Sequence, residues 1–256
     1  SPLPSPLAAD ATHFLSSTDA SERAKQGRAM LNGFALYKWK PNLSMSADDN
    51  FMDLIMLVTR NSICKEGHTA CAIVRGTRSK FDSEDQCYAE LMSVATNTWV
   101  YLKPHSDCHA EIHALGRASK ETDSVLKGAT AYITIAPCKN CFVALWAAGV
   151  QRIVTTQAYR DPVKSAAKEH GIELVTANFK ELEQRARRQV QQDPEQVEKD
   201  RSKRKARKEM ERDARKRQKT KREAHQERLA LQKEQKRLRL LAKAAATQQQ
   251  QGEATK

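Results

Sequence analysis

The chain has 256 residues, enough for one ordinary domain with extensions or at most two small domains. Its formal charge of +13 is local: residues 180–256 hold 25 basic and 13 acidic side chains, which leaves 19 and 18 before them. No apolar run approaches the roughly 20 residues of a membrane span, the first ten residues do not read as a secretory signal, and six Cys are too few for a disulfide scaffold.

Residues 1–44 read as an extension opened by Pro2, Pro4 and Pro6, in which only Leu31 to Trp39 is apolar enough to dock. A helix follows, capped by Asp48, Asp49 or Asn50, because Phe51, Leu54, Ile55, Leu57 and Val58 recur at helical spacing. Thr69 to Val74 is expected as a buried strand, Arg75 to Ala89 as a polar loop or widened hairpin connection, and Leu91 to Thr96 as a second strand. The next helix runs from near Cys108 to about Ser119, and the β-branched and aromatic content of Thr130 to Ile135 makes a strand. Cys138 to Ala148 is a helix closed by Gly149, and Gln151 to Thr156 a strand. Asp161-Pro162 starts a helix that Gly171 ends, before a last strand at Ile172 to Val175. Strands alternating with helices of about 10–12 residues imply an α/β sheet covered on both faces over residues 45–179. Residues 180–246 contain no Gly and one Pro, Pro194, and predict one or two long basic helices. Leu229, Leu231, Leu238, Leu240 and Leu241 come too late for a sustained coiled-coil seam, and 247–256 should be a disordered tail.

The chemistry concentrates in Cys108-His109-Ala110-Glu111 and Pro137-Cys138-Lys139-Asn140-Cys141. His109, Cys138 and Cys141 supply one imidazole and two thiolates, a soft ligand set that suits Zn²⁺, and three protein ligands leave a fourth position open for catalysis. A helix N-terminus favours the thiolate of Cys138, and Cys141 returns to the same face one turn later. Glu111, two residues after His109, can address a water on the metal and shuttle its proton. The bland alternative is a closed structural zinc knuckle with Cys108 as fourth ligand.

H-x-E followed 29 residues later by P-C-x-x-C, with a strand between, resembles the cytidine/deoxycytidylate deaminase superfamily from about Asp48 to Val175. The resemblance implies a three-layer α/β/α sandwich with a mixed sheet of about five strands. It also implies Zn²⁺ as cofactor and hydrolytic removal of the amino group of cytosine or adenine in a nucleotide or RNA. Glu111 would be the catalytic residue, and backbone N–H groups near Ala110 and Cys138 would orient the oxygen. In similar deaminases acting on transfer RNA an Asn about eleven residues before the ligand His contacts substrate; Asn97 stands twelve before and is the candidate base or ribose contact, or else a turn residue at a strand end. DPVKSAAKEHGIELV is similar to deoxycytidylate deaminases, although Asn97-Thr98 replaces their usual Asn-Gly. HAEIHAL with KGATAYITIAPC is similar to riboflavin-pathway deaminases, which space the two Cys further apart.

Other residues carry two readings. His113 is a packed or supporting side chain rather than a ligand. Cys64, His68, Cys71 and His105 are buried thiols and ordinary histidines, or a second metal site. Trp99 and Tyr101 stack on a base or pack against the 75–89 insertion. In the tail, Arg201, Lys203, Arg204, Lys205, Arg207, Lys208, Arg215, Lys216 and Arg217 would release counterions on binding RNA; the alternatives are a solvated helix or a nuclear-localisation tract. Expected partners are therefore a nucleotide or RNA substrate, RNA along the basic helix, ribonucleoprotein components and a second copy of the chain, with no membrane. The alternative function is a deaminase fold recruited as a structural part of a ribonucleoprotein such as an organellar ribosome. A Ser-rich start without Met is compatible with a cleaved transit peptide and hence a mitochondrial protein, with cytoplasm or nucleus equally open.

Overall fold

A computed structural model of the chain describes residues 17–65, 67–76, 78–101, 106–121 and 126–203, together with positions 205, 206, 208, 209, 212, 213, 216 and 226. The chain divides into two compact units, Ser1–Val197 and Glu198–Lys256.

The first unit is built on five strands: β1 (Ala70–Val74), β2 (Leu91–Thr96), β3 (Ala129–Ile133), β4 (Val150–Thr155) and β5 (Glu173–Thr176). They lie in the order β2-β1-β3-β4-β5. β1 is antiparallel to both neighbours, while β3, β4 and β5 run parallel. Successive side chains of a strand point to opposite faces, and the two cores divide accordingly. Ala70, Ala72, Val74, Tyr132 and Val154 pack with α2 (Ala47–Val58) and α7 (Phe179–Gln191) on one face. Cys71, Ile73, Ala131, Ile133 and Ile153 pack with α4 (Ala110–Glu121), α5 (Lys139–Ala147) and α6 (Asp161–His170) on the other. This is the three-layer α/β/α sandwich, and every strand of 45–179 expected from the sequence is present within two residues of its expected ends.

Two local expectations are corrected. The cap of α2 is Ser46, whose Oγ accepts from the Asp49 amide at 3.0 Å, so Asp48, Asp49 and Asn50 lie inside the first turn. The 75–89 insertion is not all loop: Ser83 caps α3 (Glu84–Glu90), and Phe81, Cys87, Tyr88 and Ala89 are buried. Its partner is α1 (Ser17–Met30), whose Gly27 lies so close that an added Cβ would fall 1.9 Å from the Tyr88 carbonyl oxygen. Leu31, Tyr37 and Trp39 join the core under α2, as their apolar character suggests.

α4 is tied to β2 by three bonds: Ser93 Oγ donates to Ala114 O, Arg117 to Val94 O, and His113 Nδ1 meets Thr96 O at 2.9 Å. α5 ends at Gly149, where φ is +95° and an added Cβ would press to 3.0 Å on Lys127, so glycine is required. α7 stops at Gln192, ahead of Pro194, and residues 194–197 resume a helix. In the second unit each described residue from 198 onward is helical. No helix among the described residues is long and apolar enough to cross a membrane.

Candidate active site

Two turns that lead into helices meet at the carboxyl ends of β3 and β4, where open α/β sheets place their ligands. One precedes α4: Thr98 and Cys108 exchange two backbone hydrogen bonds of 3.0 Å, which fixes the chain immediately before His109. The other joins β3 to α5. Thr134 staples it, donating from its amide to Ala70 O, accepting from Ala70 N at its hydroxyl, and accepting Thr156 Oγ1 at its carbonyl. Cys138 then caps α5, its sulfur accepting from the Cys141 amide at 3.5 Å.

These constraints bring His109 Nδ1 to 3.8 Å from Cys138 Sγ and 3.4 Å from Cys141 Sγ. Zinc bonds of about 2.0–2.1 Å to nitrogen and 2.3 Å to sulfur, at tetrahedral angles, put N and S about 3.6 Å apart. The donor set therefore fits Zn²⁺ with little movement, through Nδ1 of the imidazole. Among the described residues these three alone form a metal-ligating cluster. Cys108 does not close it; its sulfur lies 3.8 Å from the His109 carbonyl oxygen. The site is open, as a catalytic zinc site needs.

Glu111 lies in the first turn of α4 and is 4% exposed. Burial pushes its carboxyl above the usual range, against its own backbone amide, the charge of His109 and a hydrogen bond with Cys141. Burial likewise drives the Cys141 thiol far up, with Glu111 and Cys138 adding to it. A bound cation reverses that penalty, since metal-ligating Cys is thiolate. His109, Glu111 and Cys138 share the wall of a cleft of about 370 Å³ with Gly67, Thr69, Ser106, Gln157 and Arg160.

Asn97 is not on that wall. Its amide is 1% exposed and fully used: Oδ1 accepts from Ser62 Oγ at 2.8 Å and from Thr69 N at 3.0 Å, while Nδ2 donates to Gly67 O at 2.9 Å. It holds the 62–69 segment, whose Gly67 and Thr69 line the cleft. Ala110 opens α4, so its amide falls in the first turn, where no intrahelical carbonyl is available. His113 is a supporting side chain on β2, not a ligand. Cys64 and Cys71 are fully buried, His68 bonds to the Cys64 carbonyl, and neither thiol joins a metal cluster among the described residues. His105 lies outside the described residues. Tyr101 is 87% exposed rather than packed on the insertion. Of the basic residues named in the tail, Arg201, Lys203, Lys205, Lys208 and Lys216 are helical and exposed, whereas Arg204, Arg207, Arg215 and Arg217 fall outside the described residues. The cleft residues from loops, Gly67, Ser106, Gln157 and Arg160, carry no motif of their own, and only the fold assembles them.

Comparison with known proteins agrees with this geometry. Residues 45–157 match the family described as the cytidine and deoxycytidylate deaminase zinc-binding region. This segment belongs to the cytidine and deoxycytidylate deaminase superfamily. Curated relatives of the deaminase segment include the riboflavin biosynthesis protein RibD of Escherichia coli K12, 43% identical over 68 residues (24% of this chain, 17% of that protein). The deoxycytidylate deaminase of Enterobacteria phage T2 is 28% identical over 94 residues, 37% of this chain and 45% of that enzyme. The chain thus spans less than half the length of either. Among solved structures, the dCMP deaminase of cyanophage S-TIM5 is 17% identical with a TM-score of 0.41, covering 51% of this chain and 96% of that one. The guanine deaminase of Nitrosomonas europaea is 19% identical with a TM-score of 0.40, covering 63% and 89%.

Proposed function

We propose that the protein is a zinc-dependent hydrolytic deaminase acting on cytosine or adenine in a nucleotide or RNA. The observation that carries this reading is the open His109–Cys138–Cys141 donor set with the buried carboxylate of Glu111 on the same cleft wall. Zinc bound there supplies the Lewis acidity that makes a water nucleophilic near neutral pH. Glu111 takes the proton of the attacking water, passes it to the ring nitrogen and then delivers one to the departing ammonia. The exchange balances: an exocyclic C–N bond is broken, a carbonyl replaces it and ammonia leaves. A carboxyl raised by burial suits a group that must hold a proton between transfers. The amide of Ala110 is placed to orient the oxygen. The names of the relatives support the reaction class.

The test is ammonia release by the zinc-loaded chain from nucleosides, nucleotides and RNA, with Glu111→Ala as control. Release that Glu111→Ala abolishes supports the proposal, and none from any of these substrates sinks it. A second reading, a structural component of a ribonucleoprotein, is favoured by the net charge of +12 in residues 180–256. Under either reading the basic helix would hold RNA through phosphate contacts. Co-sedimentation of the native protein with an RNA-containing particle, lost at high salt, would support that role, and sedimentation as a free oligomer at low salt would refute it.

A further inference from the structure

We propose an anion subsite beside the metal cleft, formed by Lys139 and Arg160, that takes a phosphate group on the sugar of the substrate. The inference rests on the deaminase reading above and narrows it from a nucleobase to a phosphorylated nucleoside.

A second hollow of about 260 Å³ is lined by Cys138, Lys139, Asn140, Arg160, Pro162 and Val163. Cys138 and Arg160 belong to its wall and to the wall of the metal cleft, so the two spaces adjoin across the ligating turn. A ligand whose base lies against the zinc donors has this hollow beside it for the rest of the molecule. Its charge is one-sided. Lys139 and Arg160 are exposed, and neither has an ion-pair partner among the described residues. The one carboxylate adjacent in sequence, Asp161, is engaged by Lys164 at 3.1 Å and does not line the hollow.

The attraction comes from side chains and not from the start of α6. The amides of Val163 and Lys164 both donate to the Arg160 carbonyl, at 3.0 and 3.1 Å, and Pro162 has no N–H. Lys139 and Arg160 differ usefully as anion binders. A guanidinium fork can take two phosphate oxygens at once, and an ammonium acts as a point charge. The Asn140 side-chain amide adds a neutral donor on the same wall. Two uncompensated cations and a donor match a dianionic phosphate monoester better than a neutral sugar hydroxyl. Glu111, the acid on the neighbouring wall, is buried and keeps negative charge away from the mouth of the hollow.

The experiment compares the zinc-loaded full chain with Lys139→Ala, Arg160→Ala and the double variant, all of which leave the buried core intact. kcat/KM is measured for paired substrates: cytidine, deoxycytidine and adenosine, their 5′-monophosphates, and short oligonucleotides of the same bases. A monophosphate-to-nucleoside ratio of tenfold or more that collapses towards one in the double variant is expected. A wild-type ratio near one, or one the double variant keeps, overturns the proposal. Preference for the oligonucleotide with the same Lys139 and Arg160 dependence upholds the phosphate chemistry and assigns it to a diester. Calorimetric titration with the monophosphates runs in parallel, so that a chain releasing no ammonia still decides the question. Binding that the double variant weakens at least tenfold then supports the subsite without the deaminase reading, and equal binding by both proteins overturns it.

Discussion

The three zinc donors and Glu111 share one cleft but fail differently when removed. His109→Ala or Cys138→Ser takes away a direct ligand, and metal analysis of the purified variant should show zinc falling from about one per chain towards none. Glu111→Gln should keep the metal and lose turnover by about 10²–10⁴-fold, the usual weight of a positioned acid–base group. A Glu111→Gln protein that lost zinc in parallel with activity would make it a ligand instead. Asp48 tests a different kind of residue. Its carboxylate takes both terminal nitrogens of Arg152 at 2.7 Å and the Tyr132 hydroxyl at 2.7 Å. Burial raises its pKa, but the hydrogen bonds of Arg152 and Tyr132 outweigh that and leave it below the usual value. The pair stabilises the fold while pH stays above the unfolded pKa of about 3.9, and the benefit is lost as pH falls through the lower folded value. Asp48→Asn leaves the Arg152 charge buried at 8% exposure, and should cost about 3 kcal/mol at pH 7. Urea melts at descending pH should bring wild type and variant together below about pH 4; a constant gap would refute the linkage.

At the level of elements, α1 and α3 meet only because residue 27 has no side chain. Arg28 reinforces the contact, pairing with Asp85 and lying 4.5 Å over the Tyr88 ring. Gly27→Ala must push the helices apart and should cost about 1–3 kcal/mol. Limited proteolysis would then cut within 75–89 before the rest of the unit, and cleavage unchanged from wild type would count against the close crossing. The same elements mark where sequence was readable. β2 and α5 were legible because buried strands of Leu, Met and Val, and a helix closed by glycine, each announce themselves over a short window. α3 was hidden because seven residues with a charged first turn look like loop, and their apolar face has meaning only opposite α1. The metal donors were legible as motif spacing. The side-chain occupation of Asn97 was not, since its partners come from residues 62–69, nearly thirty positions earlier in the chain.

Over the whole molecule, charge and fold separate. Residues 198–256 hold 21 basic and 9 acidic side chains, and the residues before them 23 and 22. A chain ended after Val197 should therefore keep the zinc stoichiometry and a cooperative thermal transition while shedding the excess charge. Loss of either property in circular dichroism and metal analysis would show that the units depend on each other. The placement of the donors has one more consequence. His109 and Cys138 stand 29 residues apart on separate elements, so a metal held between them is a cross-link that shortens the freedom of the unfolded chain. Treated like a covalent bridge over a loop of that length, it is worth about 3–4 kcal/mol. Stripping zinc with a chelator should lower the melting midpoint by several degrees even in Glu111→Gln, where there is no reaction to lose.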